Sequence, residues 1–351
     1  YRGRVADMAR RFCIKEDSDS IGKMLTKAFQ SANINFLIGS GASYPAIAPA
    51  GLVEQEIEAL FAEGKIEEAN KRMYEFLAGI QGPTNLLLKK QENENNNTAI
   101  ENYKSLIRVI EEILMARKTS LLPKQAKIFT TNYDLLIERA AEAFPALRFN
   151  DGFNRVPSLD NRFVFSPPNF FNSTLNFGNL YNYTVEIPVL NLIKIHGSLS
   201  WKKEHDEVLF NVCTREDLPE GSSEEEIQNY NGQFAVVLPQ KTKFQQTLMD
   251  RVYYDLLRIY SNELDKENTV LIVFGFSFVD EHIYDITKRA LKNPALKLEI
   301  FSYSHDEISI FINKFDGYNN VDVIGPPEGE CIDFTRFSAT IDCLSPKPEE
   351  K

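Results

Sequence analysis

Closely spaced cysteines are missing: the 351 residues hold four, at 13, 213, 331 and 343, with no C-x-x-C pair. That excludes a zinc ribbon and a disulfide framework and predicts reduced thiols in a cytoplasmic protein. Positive charge is scarce, since 39 Lys and Arg stand against 50 Asp and Glu, a formal net charge of -11. Sequence-independent binding to a phosphate backbone needs clustered cations, so direct nucleic-acid binding is not expected. Long apolar runs are lacking too, and no stretch reads as a membrane span or as a secretory leader with a basic start and apolar centre. The chain starts at Tyr1 without a methionine and reads as trimmed at its front. No repeat of fixed period occurs.

What is present is an ordinary hydrophobic content of 43%, enough for one large α/β domain or a domain with a sizeable insertion. Three apolar runs end in small or polar residues: FLIGSGAS at 36–43, FTTNYD at 129–134 and IKIHGS at 193–198. Buried parallel strands that deliver chemistry from their carboxyl ends have this form. Gly39 and Gly41 permit a tight turn and close approach to a diphosphate, and the residues after them are expected to start a helix whose free N–H groups face an anion. A nucleotide is the natural guest. The fingerprint G-x-G-x-x-G is incomplete, because position 44 is tyrosine, and a plain strand-to-helix turn fits the same residues. Ser43 has two uses, a phosphate contact or a helix cap.

Asn132 and Asp134 follow the second run. The Asn132 amide both donates and accepts, which suits a ribose hydroxyl or a water, whereas Asp134 serves equally as a cap, as support for the loop or as a ligand contact. His196 ends the third run beside Gly197, a position suited to a general base whose neutral form takes a proton near pH 7. His205, His282 and His305 lie in charged or helical text. A fourth strand end, Gly275-Phe276-Ser277 after 270–274, suits the second half of a nucleotide, or else a turn with Asp280 capping the next helix.

Periodicity predicts a helix over 17–32, a strand over 34–38, a pair of helices over 52–77 broken near Gly64, and helical text over 85–115 interrupted by a solvated asparagine-rich link at 91–98. Strands at 126–130, 189–195, 234–238, 269–274, 296–303 and 321–324 alternate with helices at 133–143, 246–260, 280–291 and 306–315. Between them, 150–187 reads as a long loop with one short strand at 163–165, placed to wall the pocket. The cluster Glu224-Glu225-Glu226 marks an exposed face or loop. The expected organisation is a discontinuous nucleotide domain at 1–51 and 121–345, a helical insertion at 52–120 and a loose tail at 346–351.

The four strand ends, in this order, resemble the sirtuin-like superfamily, in which a G-x-G-x-S turn, a T-x-N-x-D turn, an H-G pair and a late G-x-S turn surround one NAD molecule. The resemblance covers about 33–303. It implies a Rossmann-like parallel sheet flanked by helices, with Asn132 positioning the nicotinamide ribose and a water, and His196 as catalytic base. It implies NAD contacts at Gly39, Gly41, Ala42, Ser43, Thr131, Asp134, Gly275 and Ser277. Sirtuin deacylases carry a four-cysteine zinc module after the H-G pair, and here Cys213 stands alone, so no zinc is expected. Their arginine-containing segment and acyl-lysine strand are not found either. The wording of 129–138, 194–201 and 275–283 is similar to the bacterial NAD-hydrolysing branch of antiphage defence, and most similar to the subunit that assembles with a HerA-type hexameric ATPase. By that resemblance NAD+ is a substrate, the partner is such an ATPase, and the chain forms a homo-oligomer. An NAD-dependent deacylase and a non-catalytic NAD or ADP-ribose sensor of assembly are the rival readings.

Overall fold

A strand covered on both faces has no wet side, so its sequence is a continuous apolar run. In the computed structural model, which describes residues 9–49, 53–117, 122–156, 159–177, 184–236 and 248–343, eight strands form one sheet, and the six inner ones are of this kind. They are β1 (Arg10–Cys13), β2 (Asn33–Ile38), β3 (Gln125–Thr130), β4 (Arg148–Asn150), β5 (Val189–Lys194), β6 (Thr269–Phe274), β7 (Leu296–Phe301) and β8 (Val321–Gly325). Their order is β1-β8-β7-β6-β2-β3-β5-β4, and every neighbouring pair is parallel.

Among the described residues ten α-helices accompany them: α1 (Ser18–Ser31), α2 (Val53–Ala62), α3 (Ile66–Leu88), α4 (Glu94–Ala116), α5 (Leu136–Ala141), α6 (Glu224–Asn231), α7 (Leu248–Leu264), α8 (Glu281–Ala290), α9 (His305–Lys314) and α10 (Phe334–Asp342). Strand side chains alternate between two cores. Ile34, Phe36 and Ile38 of β2 pack with α1, α4, α5 and α10, while Leu37 packs with α7, α8 and α9 on the other face. This is the Rossmann-like parallel sheet flanked by helices that the sequence predicts. A third, smaller core joins Leu77 and Ile80 of α3 to Tyr133, Leu135, Leu199, Tyr230 and Phe234, so α3 and α6 lie over the loops that follow β3 and β5.

The chain leaves β2 towards β3 and later returns to β6 on the other side of β2. Open α/β sheets bind ligands at such a reversal. Register brings the strand ends level: Phe274 pairs with Ile38, Ile38 with Thr130, and Thr130 with Lys194. All four singled-out stretches therefore emerge from one rim.

The structure departs from the sequence reading in several places. The asparagine-rich stretch is not a link, because Asn93 caps α4 by accepting from Asn96 N at 3.0 Å, and buried Asn96 donates to Pro83 O. The Glu224 cluster forms the first turn of α6, closed by a capping box between Ser223 and Glu226. Residues 163–165 form only isolated bridges, whereas the acidic stretch contains a hairpin, Trp201–Glu204 with Glu207–Phe210. β1, β4 and α10 escaped the periodicity, the two strands because they are short and polar at the sheet's edges. The tail at 346–351 lies outside the described residues, as does 237–238 of the predicted strand at 234–238.

Candidate active site

The turn after β2 is a single 3-10 turn, Ser40–Ser43, not the start of a longer helix. Its glycines are explained by another backbone. A Cβ on Gly39 would stand 2.2 Å from Gly275 O, and one on Gly41 would stand 2.9 Å from Gly275 Cα. Gly41 N donates to Gly275 O at 3.1 Å, and Gly275 itself takes φ +65°, a conformation that favours glycine. The first and fourth turns are thus pressed together at the reversal point. Ala42 is buried and donates to Gly39 O, and Ser277 is exposed two residues beyond Gly275.

Asn132 joins this seam to the next strand end. Its Nδ2 donates to Gly39 O and to Ser43 Oγ, each at 3.0 Å, which fixes the amide's orientation, since a carbonyl oxygen facing Gly39 O would be repelled. Ser43 Oγ donates in turn to Asp134 Oδ2 at 2.7 Å, and Asp134 Oδ1 accepts from Leu136 N. Ser43 and Asp134 are buried and committed to each other, so their visible work is to hold Asn132 and the loop. Half-buried Thr131 adjoins them. Asn132 Oδ1 is buried with no hydrogen-bond partner among the described residues, and so is the hydroxyl of Tyr103 from α4, which lies beside Ser43, Asn132 and Asp134.

His196 follows β5 and is 3% exposed. Nε2 donates to Asp280 Oδ2 at 2.9 Å, while Nδ1 finds no hydrogen-bond partner among the described residues. Glu54 Oε1 stands 3.9 Å from Nδ1, too far for a hydrogen bond, and itself accepts from Tyr133 Oη at 2.8 Å. Gly197 takes φ +89° where the chain passes Ala235. Behind the turn, buried Lys194 pairs with Glu138 at 2.7 Å and donates to Asp134 O and Ser198 Oγ, tying the loops after β3 and β5 together.

A SIR2-like domain model matches residues 126–324, more than half of the chain. The chain belongs to the SIR2-like family. No curated protein matches it. Membership points to NAD-related binding and chemistry in general. The matched span holds Asn132, His196, Gly275 and Asp280, and the sheet brings the glycine turn of β2 to it from outside.

Electrostatics in this SIR2-like site differ from the sequence expectation. Burial pulls the His196 imidazole down, but Asp280 and Glu54 more than offset this and push it up to about 9. The ring therefore carries a proton at pH 7 instead of standing neutral. Burial raises the Glu54 and Asp280 carboxyls, yet the imidazolium, helped by Tyr133 at Glu54 and by Ile283 N at Asp280, holds both below their ordinary values. Burial pushes Glu138 up against the pull of Lys194.

Sequence reasoning missed Glu54, Tyr103, Tyr133 and Lys194. Glu54 is one acid among several on an amphipathic helix, and no local pattern marks it. Asp280 was legible as a helix cap, and it is one: Oδ1 accepts from Ile283 N at 3.0 Å, while Oδ2 holds the histidine. Among the described residues no group of three or more His, Cys, Asp or Glu is arranged to hold a metal ion, and no helix is long and apolar enough to cross a membrane.

Proposed function

We propose that this protein hydrolyses the bond between nicotinamide and ribose in NAD+, giving nicotinamide and ADP-ribose. One observation carries the reading. At the ends of adjacent strands, Asn132 and His196 each keep one buried polar atom, Oδ1 and Nδ1, without a hydrogen-bond partner among the described residues, while their other atoms are tied down by Gly39, Ser43 and Asp280. An acceptor and a ring nitrogen held this way suit a ribose hydroxyl and an attacking water, which is the donor set a nicotinamide riboside needs.

In this reading Asn132 orients the ribose and the water, and His196, once neutral, takes the water's proton. Gly39, Gly41, Ala42, Ser43, Thr131, Asp134, Gly275 and Ser277 form or support the rim on which the dinucleotide rests. Depletion of NAD in antiphage defence, assembly with a HerA-type hexameric ATPase and homo-oligomerisation belong to the same proposal, supported by the likeness of 129–138, 194–201 and 275–283 to that branch. A hydrolase of NAD+ poisons its own cell if always on, which gives such assembly a regulatory purpose.

Nicotinamide release, measured with and without the ATPase, tests this. Asn132→Ala and His196→Ala should each lower the rate by about 10³-fold in protein that still folds by circular dichroism. Full activity in either variant removes the assignment. A second reading, a sensor that binds NAD+ or ADP-ribose without turnover, draws support from a base that is protonated at pH 7. Calorimetric binding with no nicotinamide released, partner included, would select it.

A further inference from the structure

His196 stands between two carboxylates, and both are fastened from elsewhere. Asp280 is held by the backbone of α8 through Ile283 N at 3.0 Å, and Glu54, arriving on α2, is held by the Tyr133 hydroxyl at 2.8 Å. The ring is thus oriented before any ligand arrives. Resting on the hydrolase reading above, we propose that Asp280 and Glu54 are positioning residues of the reaction: Asp280 occupies Nε2 and leaves Nδ1 as the atom that takes the proton, while Glu54 steadies the charged ring on the Nδ1 side. Neither touches the reacting bond. A carboxylate behind a histidine fixes its tautomer and raises its basicity.

The proton account closes. Water's oxygen bonds to ribose C1′ as one of its O–H bonds breaks towards Nδ1. The C1′–N bond breaks and its electron pair stays on nicotinamide. Nδ1 then gives the proton to solvent, so NAD+ and water become ADP-ribose, nicotinamide and one proton.

The titratable groups facing the ring are Glu54 from α2, Tyr133 from the loop after β3, Tyr253 from α7, whose ring centroid is 5.9 Å away, and Asp280 before α8, with the charge of His282 acting on Asp280. Burial and the two carboxylates push Tyr133 and Tyr253 well up, so both stay neutral, and the balance at the ring is set by Glu54 and Asp280. In the free protein the ring must lose a proton before it can accept one, and kcat/KM should therefore climb with pH until near 9.

The experiment pairs two readouts on wild type, Asp280→Asn and Glu54→Gln. Nuclear magnetic resonance follows the His196 ring titration without NAD+, and nicotinamide release is followed against pH. Asparagine keeps the helix cap, and Asp280→Glu serves as the conservative rescue. The expected result is a wild-type ring titrating near 9, both variants titrating lower, the acid limb of kcat/KM moving by the same amount, and a plateau about 10-fold lower in Asp280→Asn that Asp280→Glu partly restores. An unmoved acid limb in variants that still release nicotinamide overturns the positioning role and leaves the hydrolase intact. A ring that shifts in protein that releases no nicotinamide at any pH, partner present, overturns both.

Discussion

Two buried clusters of charge lie in this one sheet and end in opposite states. At the carboxyl rim, His196 sits between Glu54 and Asp280, and all three are shifted towards their charged forms. Inside the sheet, Glu299 of β7 lies beside Asp322 of β8, and burial together with the Asp322 charge pushes Glu299 up to about 8. Arg10 and Lys297 satisfy Asp322, each at 2.8 Å, while both Glu299 oxygens are buried without a hydrogen bond among the described residues. Glu299 and Asp322 are fully buried, while Glu54 and Asp280 keep side-chain exposures of 24% and 16%; burial nevertheless raises all three shifted carboxyls, Glu54, Asp280 and Glu299, and pairing with His196 reverses the shift only at the rim. A carboxylate facing a fixed cation keeps its charge, and one left behind by its neighbour's partners gives it up.

Removing the cation is the strongest way to break that contrast. His196→Ala leaves Glu54 and Asp280 without the cation between them, which turns the first cluster into a mostly buried like-charge pair. Breaking a buried ion pair from one side costs about 3–5 kcal/mol. The sign follows from linkage. The His196 contribution is complete below its ordinary value of 6.5 and fades as pH rises through about 9. Those of Glu54 and Asp280 hold above the ordinary carboxyl range and fade as pH falls into it. Urea denaturation at pH 7 should show a deficit of roughly 3 kcal/mol that narrows towards pH 4. Equal stability of variant and wild type at pH 7 would mean that the cluster is not coupled in this way.

A smaller change sharpens the same point. Tyr133→Phe deletes the 2.8 Å bond that anchors Glu54 and leaves that carboxylate facing the charge of His196 at 3.9 Å. The expected loss is about 1.5 kcal/mol at pH 7, with Glu54 titrating higher than before. A variant as stable as wild type would show that the ring alone holds Glu54.

The contrast also explains what could be read without coordinates. The strands at 34–38, 126–130 and 269–274 were legible because burial on both faces leaves unbroken apolar text, and parallel pairing then brings their ends to one rim. Asn132 and His196 were legible because they stand where those runs stop. Glu54 was not, since the groups it faces come from the turn after β5 and from the loop after β3, far from it in the chain. The glycines were legible as a tight approach, but the nearest partner is Gly275, a contact made only when β6 returns beside β2. Charge state was the least legible feature. The imidazole at 196 was expected neutral, and only the placement of two distant acids makes it a cation.

Glu299 offers the smallest and cleanest test of the comparison, because it lies away from the chemistry. A folded carboxyl that holds its proton up to about 8, against an ordinary value of 4.5, takes up a proton on folding. Stability should therefore decline as pH rises from the ordinary carboxyl range through about 8, and level off once Glu299 is ionised in both states. Glu299→Gln has the shape of the neutral acid and cannot ionise, so its curve lacks that decline. Near pH 5 the variant should match wild type or fall slightly below it, and by pH 9 it should be the more stable by roughly 1 kcal/mol, the benefit being limited by an amide that also finds no hydrogen-bond partner there. Parallel stability curves for the two proteins across that range would mean that Glu299 is already ionised at neutral pH, held by Lys297 and Arg10 in the way that Glu54 and Asp280 are held by His196.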